Sequence, residues 1–267
     1  MAAGMGKRMQ SDLPKVLHPV GSPARPMVCA VIDACREAGC RKVVLIVGYK
    51  QELVREAISR VYGTDHGIEF AVQAEQLGTG HAVRCAESLF TNEKQAPGHE
   101  VFVLAGDGPL IRAATLRELL ALHRSTHAAA TLATSVIADP SGYGRIVRDA
   151  HGKLAAIVEQ KDCTREQLTI NEVNPSYYCF DAQALFRTLA QVTRNAVSGE
   201  YYITDVPALL LKQRERVEVV ASVPPEDVLS INTLDQLAEV DRIYIRRTKS
   251  GAQGTESGAA HHQGAHA

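Results

Sequence analysis

Three stretches of this 267-residue sequence, and a few isolated polar residues, have the types and spacing for chemistry. The opening Ala2-Ala3-Gly4-Met5-Gly6-Lys7-Arg8 sets glycines beside an arginine, and Lys15 follows just after Leu13-Pro14. Glycines let main-chain N–H groups approach a phosphate closely, and an arginine adds a charge-assisted fork. Gly4, Gly6, Arg8 and Lys15 together suit a triphosphate. The loop is neither a Walker A motif nor G-x-G-x-x-G. An ordinary basic surface loop has the same composition, so this stretch decides nothing alone.

The second stretch centres on Asp107, directly after the apolar run Val101 to Ala105 and Gly106. Ligands of open α/β sheets bind at the carboxyl ends of strands. A carboxylate there is a natural Mg²⁺ ligand, because Mg²⁺ takes few protein oxygens plus substrate phosphates. A turn-forming Asp in Gly-Asp-Gly-Pro is the plainer reading. The third stretch, Gln73-Ala74-Glu75-Gln76-Leu77-Gly78-Thr79-Gly80, also follows a strand-like run. A glutamine both donates and accepts, which suits the edge of a base. Glu159, Asn174 and Asn232 are isolated polar residues near predicted strand ends.

The elements that must hold these residues alternate. Met27, Val28, Val31, Ile32 and Cys35 recur at helical spacing, with Gly39 where a C-terminal cap belongs. Val43 to Val47 is a short continuous apolar run, the pattern of a strand buried on both faces. Gln51 to Arg60 reads as a helix, Ile68 to Val72 as a strand, His81 to Phe90 as a helix and Val101 to Ala105 as a strand. Strands alternating with helices imply a parallel, doubly wound sheet. After Thr131 the pattern loosens. Strand-like pieces at Thr131 to Val136, Gly144 to Arg148, Leu154 to Val158 and Ser176 to Phe180 suggest a mixed or antiparallel lobe beside the parallel core. Helices at Asp181 to Leu189 and Thr204 to Leu211, a strand at Val217 to Ala221 and a helix from Leu234 to Arg246 complete the reading. Residues 248–267 are Gly-, Ala-, Ser- and His-rich without periodicity, and are expected to be a disordered tail.

Composition narrows the classes. Lys+Arg is 29 and Asp+Glu is 30, a net charge of -1, without the basic excess of a duplex-nucleic-acid binder. No apolar run is long enough for a spanning helix, and no signal peptide precedes the polar opening loop, so a cytoplasmic location is expected. The six cysteines include no C-x-x-C pair and no zinc spacing, and are expected to be reduced thiols packing as small hydrophobes.

The motifs carry more as an ordered set. AAGMGKRMQSDLPKVLH, QAEQLGTGHAV, GDGPLI, GYGRIVR, IVEQKD, NEVN, GEYYITD and SINTLDQLAEVDRIY occur in this order. The set resembles the uridylyltransferase domain of the bacterial bifunctional N-acetylglucosamine-1-phosphate uridylyltransferase/glucosamine-1-phosphate acetyltransferases, from Ala2 to about Arg247. QAEQLGTGHA and GEYYITD are specific to that branch. The resemblance implies a nucleotidyltransferase domain over residues 1–247. Its fold would be α/β, a Rossmann-like doubly wound mixed sheet of the nucleotidyltransferase type with the first strand missing. The implied reaction joins UTP and N-acetylglucosamine 1-phosphate to give UDP-N-acetylglucosamine and pyrophosphate, with Mg²⁺. By motif, Ala2, Ala3, Gly4 and Gly106 would border the nucleotide, and Gln73, Gly78 and Thr79 would hold uracil. Arg8 and Lys15 would serve the phosphates, with Asp107 acting beside them. Asp107 and Asn232 would hold the metal, which requires them to converge within roughly 6 Å. Gly144, Glu159 and Asn174 would bind the amino sugar.

Four departures stand out. Met1 occupies the last position of the family's opening strand; Lys7 and Gly108 replace the family's usual residues; GSPARPM makes a longer turn; and no hexapeptide repeats build an acetyltransferase β-helix. The resemblance therefore carries no acetyl-CoA activity and no β-helix trimer. A different sugar 1-phosphate, a different nucleotide, or a non-catalytic nucleotide-sugar-binding relic are the competing readings. The retention of Arg8, Lys15, Asp107 and Asn232 together argues against a relic. A glycine-rich nucleotide loop needs a strand beneath it. The expectation is therefore a start codon assigned too late, with about eight apolar residues encoded upstream in frame. The upstream DNA tests it: a stop codon directly before Met1, with full activity of the 267-residue protein, defeats it.

Overall fold

In a computed structural model the protein is described over residues 1–64, 67–221 and 223–259. A 3-10 turn at Lys7–Met9 and another at Lys15–Leu17 precede a small antiparallel pair, β1 (Pro19–Val20) and β2 (Arg25–Pro26). This pair is where the long GSPARPM turn folds. Helix α1 (Met27–Glu37), strand β3 (Val43–Val47), α2 (Gln51–Tyr62), β4 (Ile68–Val72), α3 (Thr79–Cys85), β5 (Glu100–Leu104) and α4 (Ala113–Thr126) follow. Then come β6 (Ala130–Ala133), β7 (Ser135–Val136), β8 (Gly144–Arg148), β9 (Leu154–Val158), β10 (Glu172–Asn174), β11 (Tyr177–Asp181), α5 (Ala182–Leu189), α6 (Asp205–Lys212), β12 (Val217–Val220) and α7 (Leu234–Ala259).

Two blocks of strands form the main layer. One runs β12-β6-β11-β5, with β12 parallel to β6 and β11 antiparallel to both its neighbours. The other is the parallel pair β3-β4. Residues Met1 to Ala3 join them. The Met1 nitrogen donates to the Leu104 carbonyl (2.8 Å), and Gly106 N–H donates to the Met1 carbonyl (2.9 Å). On the other side Ala2 N–H donates to Ile46 (2.8 Å), and Ala3 accepts from Tyr49 N–H (3.2 Å). The opening residues thus lie as a short extended link between β5 and β3.

Side chains alternate across this layer, as the strand period of two requires. Along β11, Tyr178 and Phe180 enter a core shared with α3, α5 and α6, while Tyr177 and Cys179 enter the core under α1 and α4. Helices on both faces are the doubly wound arrangement. A separate antiparallel sheet, β7-β10-β8-β9, forms the lobe that walls one side of the cleft.

Several expectations need correction. The strand expected at Ser176 to Phe180 belongs to the core sheet, not the lobe, and it lies between β6 and β5. Its first four residues, Tyr177 to Phe180, are all buried, the mark of a central strand. The strand expected at Thr131 to Val136 divides: β6 joins the core and β7 the lobe. The helix expected from His81 to Phe90 breaks into α3 and a 3-10 turn at Glu87–Phe90. Helix α4 was not foreseen, although Leu116, Leu119 and His123 lie buried at helical spacing. Helix α7 continues to Ala259, past the expected end at Arg246, through a stretch with no proline to stop it. Residues 260–267 of the expected tail, with His261, His262 and His266, lie outside the described residues. No helix among the described residues is long and apolar enough to cross a membrane.

Phe180 is fully buried and stacks on Tyr178 with ring centroids 5.5 Å apart. Phe180→Ala is expected to cost about 3–5 kcal/mol, read as a lower denaturant midpoint at unchanged slope.

Candidate active site

A cleft of about 570 Å³ opens at the carboxyl ends of β3, β4 and β5, between the sheet and the lobe. Ala2, Ala3, Gly4, Arg8 and Lys15 from the opening segment line it. So do Gln73, Gly78 and Thr79 after β4, Asp107 after β5, Gly144, Glu159 and Asn174 from the lobe, and Asn232 before α7. The structure thus brings together every residue singled out in the sequence except Gly106. Gly106 stands behind the wall, its N–H bonded to Met1; a Cβ there would lie 2.7 Å from the Met1 carbonyl oxygen.

The floor is polar. Gly6 has φ of +63°, and an added Cβ would sit 2.7 Å from the Lys15 Cβ, so the turn brings Lys15 against the loop only with glycine at 6. The Lys15 ammonium donates to Asp107 Oδ2 and to Asn232 Oδ1 (2.7 Å), and the Arg8 guanidinium donates to the same Asn232 oxygen (2.8 Å). One ammonium therefore bonds both a carboxylate oxygen and an amide oxygen. Asn232 is fixed in turn: its N–H donates to Gln236 Oε1 (2.8 Å) and its Nδ2 to Ser230 Oγ (3.2 Å). Ile231 N–H donates to the Asp107 carbonyl (3.1 Å), which ties the two segments together. Among the described residues no group of three or more His, Cys, Asp or Glu side chains could hold an ion. The pair Asp107 and Asn232 suits an ion that completes its shell with phosphate and water oxygens, as Mg²⁺ does.

At one end the 73–80 loop is pinned by main-chain bonds to the Gly199-to-Asp205 segment. Tyr201 N–H donates to Leu77 (2.8 Å), Gly80 N–H to Tyr201 (2.8 Å), and Ile203 N–H to the Thr79 hydroxyl (3.0 Å). Gln73 is buried, and its Nε2 donates to the Gly78 carbonyl (3.0 Å). At the other end Glu159 Oε1 accepts from the Thr204 hydroxyl (3.2 Å). Burial pushes the Glu159 carboxyl above the usual carboxylate range, against the Thr204 bond and the Lys161 charge. Asn174 is held by its own turn: Nδ2 donates to the Tyr178 hydroxyl (2.6 Å), and Oδ1 accepts from Ser176 N–H (3.1 Å). A Cβ at Gly144 would lie 3.3 Å from Ile157 Cγ2, a tight contact to which Ile157 would have to yield by a few tenths of an ångström.

Gln76, Tyr143, Lys161, Ser176, Glu200, Tyr202 and Ser230 also line the cleft, and sequence reasoning did not single them out. Six of these lie within motifs already quoted: Gln76 in QAEQLGTGHAV, Tyr143 in GYGRIVR, Lys161 in IVEQKD, Glu200 and Tyr202 in GEYYITD, and Ser230 at the head of SINTLDQLAEVDRIY. The unusual Gly108 has a structural reason. An added Cβ would meet the Tyr177 hydroxyl at 2.9 Å, and that hydroxyl donates to the Asp227 carbonyl (2.8 Å).

Comparison with known proteins supplies context. The Nucleotidyl transferase family signature matches residues 1–229. "Bifunctional protein GlmU" of Clostridium botulinum (strain 657 / Type Ba4) is 41% identical over 247 residues, 92% of this chain and 51% of that protein. The protein of the same name from Clostridium beijerinckii is 42% identical over 247 residues, 92% of this chain and 51% of its own length. The chain spans about half the length of these relatives. The crystal structure of apo-UDP-glucose pyrophosphorylase superposes with a TM-score of 0.70 at 19% identity, covering 92% of this chain and 97% of that one. At that identity the likeness is one of fold.

The two glycines with the most contrasting surroundings test the loop geometry. Gly78 has φ of +97°, and a Cβ would lie 2.5 Å from the Tyr201 carbonyl oxygen. Gly78→Ala is expected to cost about 1–3 kcal/mol, seen as a lower melting temperature. Gly4→Ala, whose Cβ would meet nothing within 4 Å, is expected to leave it unchanged.

Proposed function

The chain belongs to the nucleotidyl transferase family, and we propose that it joins UTP and N-acetylglucosamine 1-phosphate to give UDP-N-acetylglucosamine and pyrophosphate. The observation that carries this reading is the convergence of Arg8, Lys15, Asp107 and Asn232 on the floor between the 73–80 loop and the lobe. The ordered motifs and the relatives at about 40% identity support the same substrates.

In this reading the uracil lies against Gln73, Gly78 and Thr79. Thr79 already accepts from Ile203 N–H, which leaves its hydroxyl proton to donate. Ala2, Ala3 and Gly4 let the nucleotide approach the main chain. The sugar lies against Gly144, Glu159 and Asn174. The phosphate oxygen of the sugar attacks the α-phosphorus in line, and pyrophosphate leaves. Such a step needs positioning and charge neutralisation, with no covalent nucleophile on the protein. Arg8 and Lys15 supply positive charge where the leaving oxygens gather it. Asp107 and Asn232 would hold Mg²⁺, which when bound neutralises phosphate charge. The two oxygens already share one cation, the Lys15 ammonium, so the donor set fits. The Lys15 stem is flexible enough to turn its charge from Asp107 to a phosphate.

Pyrophosphate release across UTP, dTTP, GTP and several sugar 1-phosphates tests the assignment. UTP with N-acetylglucosamine 1-phosphate is expected to dominate; equal release with every nucleotide, or with none, would overturn it. Asp107→Ala is expected to lower kcat on the order of 10²–10³ with an unchanged melting temperature. A matching loss of stability would assign Asp107 to folding instead.

Glu159 makes the sugar site sensitive to pH. Its raised pKa means that the fold favours the protonated carboxyl. That stabilisation is full below the ordinary carboxylate pKa and is lost as pH rises through the raised value. Only the ionised form has both oxygens as acceptors for sugar hydroxyls. The KM for sugar phosphate is therefore expected to rise as pH falls through the raised value, while that for UTP holds. Glu159→Gln is expected to flatten the profile.

A further inference from the structure

Helix α1 ends in a motif that brings the backbones of two cysteines together. Cys40 N–H donates to the Cys35 carbonyl (3.0 Å), and Gly39 N–H donates to the Arg36 carbonyl (3.0 Å). Ala38 turns the chain, and Gly39 has φ of +97°. These paired bonds define a Schellman ending, in which the third residue from the helix end meets the residue after the glycine, commonly as an apolar contact. Here the two meeting residues are Cys35 and Cys40. The 6→1 main-chain bond also draws the two α-carbons toward the spacing of about 4.4–6.8 Å that a disulfide needs.

The Cys35 sulfhydryl draws the Cys40 thiol below its ordinary value, and the Cys40 contact together with burial holds Cys35 well above its own. Both residues are partly exposed, and neither lines the cleft. The remaining thiols are placed differently. Cys29 and Cys179 are buried, Cys85 faces His81 Nε2 (3.7 Å), and Cys163 faces the Val158 carbonyl (3.5 Å).

We propose that Cys35 and Cys40 are an oxidation site that closes to a reversible intramolecular disulfide, with hydrogen peroxide as the oxidant. The Cys40 sulfur attacks one peroxide oxygen, the O–O bond breaks, and Cys40 becomes a sulfenic acid as the first water leaves. The Cys35 sulfur then attacks Cys40 Sγ and expels the second oxygen as water. Two thiols lose two protons and two electrons, and one peroxide takes them up. A small thiol reverses the step by exchange. The sulfur inclined to lose its proton is the attacking one, and the sulfur that keeps its proton resolves the intermediate.

Peptide mapping of the whole protein tests this. Trypsin cuts after Arg36 and Arg41, so the two cysteines fall on different peptides. After treatment with stoichiometric hydrogen peroxide and alkylation, the peptide ending at Arg36 and the peptide Glu37-to-Arg41 are expected as one linked species. It should be lighter than the two free peptides by two hydrogens, and dithiothreitol should separate it. Cys35→Ser is expected to leave Cys40 as a sulfenic acid trapped by dimedone, and Cys40→Ser to abolish peroxide uptake at Cys35. Nucleotidyl transfer by both reduced variants is expected within twofold of the parent. Three results would overturn the proposal: full alkylation of both thiols after peroxide, Cys40 linked to Cys179 or to a second chain, or Cys40 oxidised to sulfinic acid in the parent with Cys35 free.

Discussion

Three residues of main chain hold the two halves of the sheet in register. Through Met1 to Ala3, β5 on one side and β3 on the other receive hydrogen bonds, and no other main-chain ladder joins those strands among the described residues. The constraint matters because each half carries part of the chemistry. Asp107 leaves the end of β5, and the Gln73-to-Gly80 loop leaves β4 beside β3. A change in the offset between the halves would separate the charge-bearing floor from the Gln73-to-Gly80 wall of the cleft. The link itself runs straight into Gly4 and Gly6, so the segment that aligns the sheet is also one that lines the cleft. Ala2 and Ala3 are buried at this crossing. Buried main-chain groups without partners cost about 1–3 kcal/mol each, which gives these short bonds their weight.

The floor is a balance of like and unlike charges. Two cationic side chains, Arg8 and Lys15, share one amide oxygen, and one carboxylate faces them. Partly exposed pairs of this kind contribute little to stability. Their placement in a cleft beneath a glycine loop therefore owes little to folding and suits the polyanionic phosphate of the proposed reaction. Asp227 presents the contrast. It is almost fully buried, is gripped by Arg112 and Arg247, and its carbonyl receives the Tyr177 hydroxyl. That cluster is structural and braces α7 against the sheet behind the floor.

Much of this was legible in the sequence. The continuous apolar runs gave β3 and the strand before Asp107, and the ordered motifs gave the residues that meet in the cleft. What escaped has physical causes. The run Tyr177 to Phe180 reads as a strand, but periodicity does not say which sheet takes it, and the turn-rich surroundings suggested the lobe. Helix α4 opens on Ala113-Ala114-Thr115 without a side-chain cap, so its start left no signal. Gln76, Tyr143, Lys161 and Glu200 sat inside recognised motifs, yet nothing in their types marks the cleft; the sheet crossings that bring them there are long-range. The thiol pair at the end of α1 was hidden for a related reason. Four residues lie between the cysteines, and the left-handed Gly39 among them turns the chain so that the two backbones meet.

The segment from Gly199 to Thr204 touches both ends of the cleft. Its main chain holds Leu77, Thr79 and Gly80 at one end, while Thr204 bonds Glu159 and Glu200 bonds Lys161 (3.1 Å) at the other. In the proposed reading, with the base at the first end and the sugar at the second, the two ligands are linked through a single strip of chain. Any shift that one of them imposes on the strip alters the affinity for the other, and thermodynamic reciprocity makes that factor the same in both directions. The order in which the two substrates arrive then changes the path but not the total free energy of the ternary complex.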